Sequence, residues 1–383
     1  MSIFLILLIY LAFIGLGLPD SLFGTAWPAV YAEFSLPFSF GTIVSVIVTC
    51  GTILSSLFSA RVIHRFGTNK VVAFSTLLTA LSIVGYAVSP NIWVMLLFAV
   101  PLGFGAGSID VALNNYVALH YSASVMNYLH CFYGVGVSIS PYVLSLVIGG
   151  ENGWRKGYFI VAGIQALITI LLFISLPIWK KVHPEDPSEG NEKAKVLSFR
   201  QALAIPGVRF FCALFFIFCA IECVCGGWGS TFLVEYRGLT ADQAAEVVLF
   251  FFIGMAVSRF LSGVLAKKVK SRQIIAAGIS VLGIGMVLLF IPGPQFLYTA
   301  AFFLVGLGNG PLFPNFTHIA PETFGKDVSE SVISMQMTFA YVGILLGPLL
   351  CGLLAQAFTM LVFPVFLTAL FAAMLFLIWR MKR

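Results

Sequence analysis

The chain has 383 residues, of which 60% are hydrophobic and only 9% charged, with a mean hydropathy of +1.02 and a formal net charge of +6. A soluble fold could not bury that much apolar surface, so a water-soluble enzyme or binding domain is excluded and the lipid bilayer is the expected surroundings. The positive balance does not point to nucleic acid, because the basic residues lie in short loops between apolar segments rather than along one face.

The apolar segments each run about 20 residues or more, the length a helix needs to cross roughly 30 Å of hydrocarbon. The polar/apolar alternation of a membrane barrel is missing. In chain order the spans are expected over 3–32, 39–60, 71–89, 92–119, 125–149 and 156–178, then 207–234, 241–266, 273–292, 296–320, 328–357 and 360–380. The expected fold is therefore an all-α membrane protein of 12 transmembrane helices in two six-helix bundles, 1–178 and 207–383, joined by a linker over 179–206. In that linker Lys180, Lys181, Glu185, Asp186, Glu189, Glu192, Lys193 and Lys195 cluster with Pro184, Pro187 and Gly190, a solvated composition. The N-terminus is apolar from Ile3 without a basic region before it, which reads as a retained first span. Cys50, Cys131, Cys212, Cys219, Cys223, Cys225 and Cys351 all fall in apolar segments without metal-ligand spacing, so they read as small buried hydrophobes and no metal or organic cofactor is expected.

Basic residues set the expected topology. Arg61, Arg65, Lys70, the linker lysines, Arg200, Arg209, Lys267, Lys268, Lys270, Arg272, Lys326, Arg380, Lys382 and Arg383 fall on one side of this arrangement. Arg155, Lys156 and Arg237 fall on the other, and Arg259 lies inside a span. Positive residues stay inside, so both termini and the linker are expected in the cytoplasm, with the chain in the cell membrane.

The halves also repeat each other. LGFGAG at 102–107 matches VGLGNG at 305–310, GVGVSISP at 134–141 echoes VGILLGP at 342–348, and Ala60 falls opposite Gly263. At an offset of 202 residues Asp20 meets Glu222 and Glu33 meets Glu235. Two parallel repeats of this kind imply a solute site between them near the bilayer midplane.

Three acidic residues lie deep in spans: Asp20, Asp110 and Glu222. Low dielectric disfavours a charged carboxylate, so such a group can take and release a proton around neutral pH, which is what proton coupling requires; the bland reading is a hydrogen-bonded acid at a helix contact. Gly15, Gly17 and Pro19 precede Asp20, and proline removes a backbone hydrogen bond, so the first span should bend beside the acid. Asp110 and Asn114 share one helical face, while Asn127 and His130 are three apart on the next helix. Together they offer donors and acceptors suited to a hydroxyl-rich solute. In the second half Trp228 could stack on a sugar face, and Asn309, Asn315, His318 and Gln336 could bond hydroxyls; each could equally join helices. Arg259 is expected to snorkel or pair at an inner gate.

The loop after the second span, ARVIHRFGTN at 60–69, resembles the signature loop of the major facilitator superfamily through Arg65 and Gly67, with Ala60 and His64 departing from its pattern. GVLAKKVK at 263–270 keeps Gly263 and has Lys267 in place of the acid. The resemblance implies two pseudo-symmetric six-helix bundles and a gating role for Arg65 and Gly67. Within that superfamily GAGSIDVALNN and MNYLHCFYGVG are similar to the fucose–proton symporter family, with Asp110 where that family has a glutamate, Asn127 at its asparagine and His130 at a substrate-contacting glutamine.

The resulting expectation is a secondary active transporter working by alternating access, coupling protons through Asp110, Asp20 and Glu222 to a sugar-like solute, and functional as a monomer. Sodium is the alternative coupling ion. The alternative functions are an exporter of amphipathic compounds or a solute sensor that transports nothing. An enzyme is not expected, because no nucleotide loop, metal cluster or nucleophile arrangement is present.

Overall fold

The computed structural model describes residues 2–37, 40–182 and 196–381. Among them are fourteen helices and no strand. In chain order these are α1 (Ser2–Glu33), α2 (Phe40–Phe66), α3 (Thr68–Val88), α4 (Ile92–His120), α5 (Ala123–Ser145), α6 (Gly153–Val182) and α7 (Phe199–Ala204). They continue with α8 (Val208–Glu235), α9 (Ala241–Leu265), α10 (Ser271–Leu288), α11 (Gln295–Asn309), α12 (Leu312–Phe324), α13 (Ser329–Ala357) and α14 (Val362–Met381). With α11 and α12 counted as one span and the short α7 set aside, they supply the twelve spans expected.

Two differences from the sequence reading have local causes. The tenth span breaks at Gly310–Pro311, because Pro311 and Pro314 cannot donate to the carbonyls four residues before them. The linker is not uniformly irregular: Ser198 caps α7 by accepting from the Gln201 N–H, and the Gln201 side chain accepts from the Ser198 N–H in return. The linker residues from Pro184 to Lys195, with Lys382 and Arg383, lie outside the described residues.

The helices fall into two compact units. Unit 1 comprises Met1–Val117, Leu129–Leu197 and Lys326–Ser334. Unit 2 comprises Ala118–Tyr128, Ser198–Gly325 and Met335–Arg383. The first turns of α13 belong to unit 1 because their serines bond there: Ser329 Oγ donates to Asn115 Oδ1 at 2.9 Å, Ser331 Oγ accepts from the Leu197 N–H at 3.0 Å, and Ser334 Oγ donates to the Ser56 carbonyl.

Within each unit glycine lets backbones touch. In unit 1, α1 crosses α5 where a Cβ on Gly17 would lie 2.4 Å from the Tyr133 carbonyl oxygen and one on Gly136 would lie 2.1 Å from that of Ile14. In unit 2, a Cβ on Gly306 of α11 would lie 2.0 Å from the Phe251 carbonyl oxygen of α9. Unit 1 makes the same crossing between α2 and α4 at Gly51 and Gly103. Association of membrane helices rests on such close packing, since lipid provides no hydrophobic drive between them.

Two of the basic residues expected on the outer side, Arg155 and Arg237, bond to helix ends. In unit 1 Arg155 donates to the carbonyls of Ala87 and Ser89, both at 2.8 Å, at the C-terminal end of α3. It also pairs with Glu33 at 2.7 Å and lies over the Trp154 ring at 4.3 Å. In unit 2 Arg237 donates to the Leu289 carbonyl at 2.5 Å, at the end of α10, and lies over Phe232, Tyr236 and Tyr298. Cations at helix C-termini offset the partial negative charge of the last carbonyls.

Gly136→Val should lower the thermal midpoint by several degrees, on the order of the 1–3 kcal/mol that overpacking costs. Gly134→Ala, with nothing within 4 Å of the added Cβ, should leave it unchanged when both are melted in the same detergent.

Candidate functional site

The polar interior of unit 1 centres on α4 and α5. Asn114 lies one turn beyond Asp110 on α4, and its amide donates to both the Asp110 carbonyl at 2.9 Å and Asp110 Oδ1 at 2.7 Å. Because that nitrogen is committed to Asp110, Asn114 Oδ1 is left as an acceptor, and His130 Nε2 donates to it at 3.1 Å. The result is a chain from carboxylate through amide to imidazole in which Asp110, Asn114 and His130 are 8%, 0% and 7% exposed. The His130 ring also meets Phe13 of α1 edge-on. Chemically the chain links protonation to orientation: a proton on Asp110 weakens it as an acceptor, which loosens Asn114 and through it the imidazole.

A second acid of unit 1 is held differently. Asp20 Oδ2 accepts from the Tyr133 hydroxyl at 2.5 Å, and the carboxylate is exposed rather than enclosed. The Gly17–Gly136 crossing brings the tyrosine within reach. Flanking bonds pin the same crossing, with Ser21 Oγ donating to the Val137 carbonyl at 2.5 Å and Ser140 Oγ to that of Leu18 at 2.6 Å.

In unit 2 the acid is ion-paired. Glu222 of α8 meets Arg259 of α9 at 3.4 Å, with side chains 31% and 12% exposed. Arg259 Nε also donates to the Gly310 carbonyl at 3.3 Å. That carbonyl would normally accept from residue 314, which is a proline, so the arginine meets an acceptor that the broken span leaves free. Of the two expectations for Arg259, the structure has it half-buried and paired, linking α8, α9 and the break between α11 and α12.

The amides of unit 2 bond to protein. Asn127 and Asn315 donate to each other's oxygens at 3.4 and 3.2 Å, and each also donates to a carbonyl of its own helix. The pair expected on one face of α5 is therefore divided: Asn127 joins Asn315, while His130 joins Asn114. Gln336 donates to Thr317 Oγ1 at 2.9 Å, Asn309 to the Phe218 carbonyl at 3.2 Å and His318 Nε2 to the Tyr121 carbonyl at 3.1 Å. The acceptor oxygens of Gln336 and Asn309 and the Nδ1 of His318 are buried and make no hydrogen bond among the described residues. Trp228 donates its indole N–H to the Pro348 carbonyl at 2.8 Å, which leaves its ring as the face for contact.

Between α2 and α3, Gly67 has φ +84° and ψ 149°, a conformation open only to glycine, and it forms the turn. Arg65 is exposed, with its guanidinium over Phe66. Tyr133 went unremarked in the sequence, although its spacing of three from His130 was a signal that it could share the polar face. Glu330, buried at 6% in the first turn of α13, had no such signal, because an acid at a helix start ordinarily faces water.

Comparison with known proteins follows the same lines. The model of the Major Facilitator Superfamily matches residues 9–348 and 210–383. The yeast Saccharomyces cerevisiae protein "Bypass of stop codon protein 6" is 21% identical over 378 residues, spanning 90% of this chain and 75% of its own. The Bacillus subtilis glucose/mannose transporter GlcP is 21% identical over 306 residues, spanning 77% and 74%. The crystal structure of the Escherichia coli fucose:proton symporter FucP superposes with a TM-score of 0.79 at 16% identity, covering 99% of this chain and 98% of that one.

Arg259→Met leaves the Glu222 carboxylate without its cation and should destabilise the protein by about 1–3 kcal/mol. The double variant with Glu222→Gln should recover part of that loss. Thermal midpoints of the four proteins in one detergent read the coupling, and strict additivity would exclude it.

Proposed function

Since the chain belongs to the major facilitator superfamily, whose members are transporters and not enzymes, we propose that it is a proton-coupled symporter working by alternating access on a sugar or similar small polyhydroxylated solute. The observation that carries this reading is the Asp110–Asn114–His130 chain, which joins an intramembrane acid to two side chains able to bond hydroxyls. A solute hydroxyl inserted at Asn114 or His130 would exchange one hydrogen bond for another while altering how firmly Asp110 holds its proton. Asp20, with its single tyrosine donor, and Glu222, with its arginine, supply further coupling groups.

A proton suits this chain better than sodium. Asp110 Oδ1 and Asn114 Oδ1 each already accept an N–H, whereas a sodium ion needs several oxygens turned toward one point. Trp228, Asn309, Asn315, His318 and Gln336 are proposed as solute contacts of the second half, reached by exchange of their present bonds. The activities for which GlcP and FucP are named, glucose/mannose transport and fucose–proton symport, support the solute class. The exporter reading draws less support: Phe211, Phe215, Phe218 and Phe316 pack on one another at ring separations of 5.1–6.0 Å, filling space in unit 2 rather than lining it. We place both termini in the cytoplasm and the chain in the cell membrane as a functional monomer, from its basic loops and self-contained path.

Proteoliposomes carrying a pH-sensitive dye test the proposal. Adding the right monosaccharide should drive proton movement in the wild type, and Asp110→Asn should reduce the initial rate by at least about tenfold. If no monosaccharide moves protons while an amphipathic dye is concentrated against its gradient, the exporter takes its place.

A further inference from the structure

Unit 2 contains a groove of about 810 Å3 with a chemistry different from that of the Asp110 chain. It runs between the outer end of α8, through Trp228, Thr231 and Glu235, and the end of α13 and the turn after it, through Gly352, Gln356 and Phe358. The first three lie on one face of α8 by spacing. Gly352 is needed because a Cβ there would lie 2.3 Å from the Trp228 ring, so the indole lies against the α13 backbone.

Three features of the groove favour positive charge. Glu235 is the last residue of α8, where a carboxylate adds to the partial negative charge of the terminal carbonyls, and it has no hydrogen bond or ion pair among the described residues. The C-terminal end of α13 opens on the same groove through Ala355 and Gln356, so a second set of terminal carbonyls lies nearby. Trp228, Tyr236 and Phe358 provide aromatic rings, the groups that hold organic cations.

The chain carries its own control. Glu33, which the repeat places opposite Glu235, is likewise the last residue of its helix, and there Arg155 and the Trp154 N–H neutralise it at 2.7 and 2.5 Å. In unit 2 the position opposite Arg155 is Ala357, and the nearby Arg237 donates to the Leu289 carbonyl at 2.5 Å rather than to Glu235. Where the first half supplies an internal arginine, the second leaves an acid facing a groove large enough for a drug-sized molecule.

We infer that this groove is a binding site for an organic cation with an aromatic or apolar body, held by Glu235 and the Trp228, Tyr236 and Phe358 rings. Its charged group, Glu235, lies outside the Asp110 chain, and only the Trp228 ring is shared with the solute contacts proposed above, so the Glu235 dependence separates the two readings.

Ethidium, a planar cation that brightens on leaving water, is a suitable probe for the purified full-length protein. Wild type should bind it saturably, Glu235→Asp should retain binding, and Glu235→Gln should weaken it by about tenfold with an unchanged thermal midpoint. Glu33→Gln, altering the acid that is already paired, should bind as wild type. Phenanthridine, the parent ring without the charge, should not displace ethidium. Equal binding by Glu235→Gln, or displacement by phenanthridine at matching concentration, would overturn the cation site and mark the groove as merely apolar. Glucose binding there in a Glu235-dependent way, with ethidium excluded, would overturn it as well.

Discussion

A polar or ionised side chain inside hydrocarbon is tolerated only when protein neighbours replace the water it has lost, and much of this fold answers that demand. The three intramembrane acids answer it in three ways. Asp110 is held by a neutral amide, Asp20 by a single phenol and Glu222 by a guanidinium. These partners differ in what they permit. An amide can bond either form of its acid and so tolerates a proton that comes and goes, whereas the guanidinium also bonds the Gly310 carbonyl and so ties its acid to the broken span. The amide-held acid is accordingly the best suited to a coupling role, with Asp20 and Glu222 as secondary groups.

Backbone contact makes these pairings geometrically available. At the Gly17–Gly136 crossing α1 and α5 approach until a single methyl group would collide with a carbonyl, and only at that separation does Tyr133 reach Asp20. The Gly254–Gly306 crossing does the same for α9 and α11, carrying Arg259 to the carbonyl freed by Pro314. Small residues and intramembrane charge are thus parts of one arrangement, in which the first sets the distance over which the second can be satisfied.

Much of this was legible in the residues alone. Hydropathy marked out twelve spans, the repeat tied Gly103 to Gly306, and a spacing of four put Asp110 and Asn114 on one face, because each of these signals is local or periodic. Partners across helices were not legible. Spacing placed Asn127 beside His130, but it could not tell that one would turn to Asn315 and the other to Asn114, since a difference of one helical turn changes the neighbouring helix. The break at Gly310–Pro311 was written in the prolines, yet its use became visible only when Arg259 was found on the orphaned carbonyl. Glu33 and Glu235 matched as repeat partners, but the contrast between a neutralised acid and an open one depends on where Arg155 and Arg237 are directed.

The central claim is that Asp110 couples the proton and does not merely help to hold the solute. The most direct test compares two modes of transport in Asp110→Asn proteoliposomes: exchange of labelled for unlabelled sugar with no gradient, and accumulation of the sugar driven by a pH gradient. If Asp110 is the coupling group, exchange should persist while accumulation is lost. Loss of both would make Asp110 a binding residue, and retention of both would remove it from the mechanism.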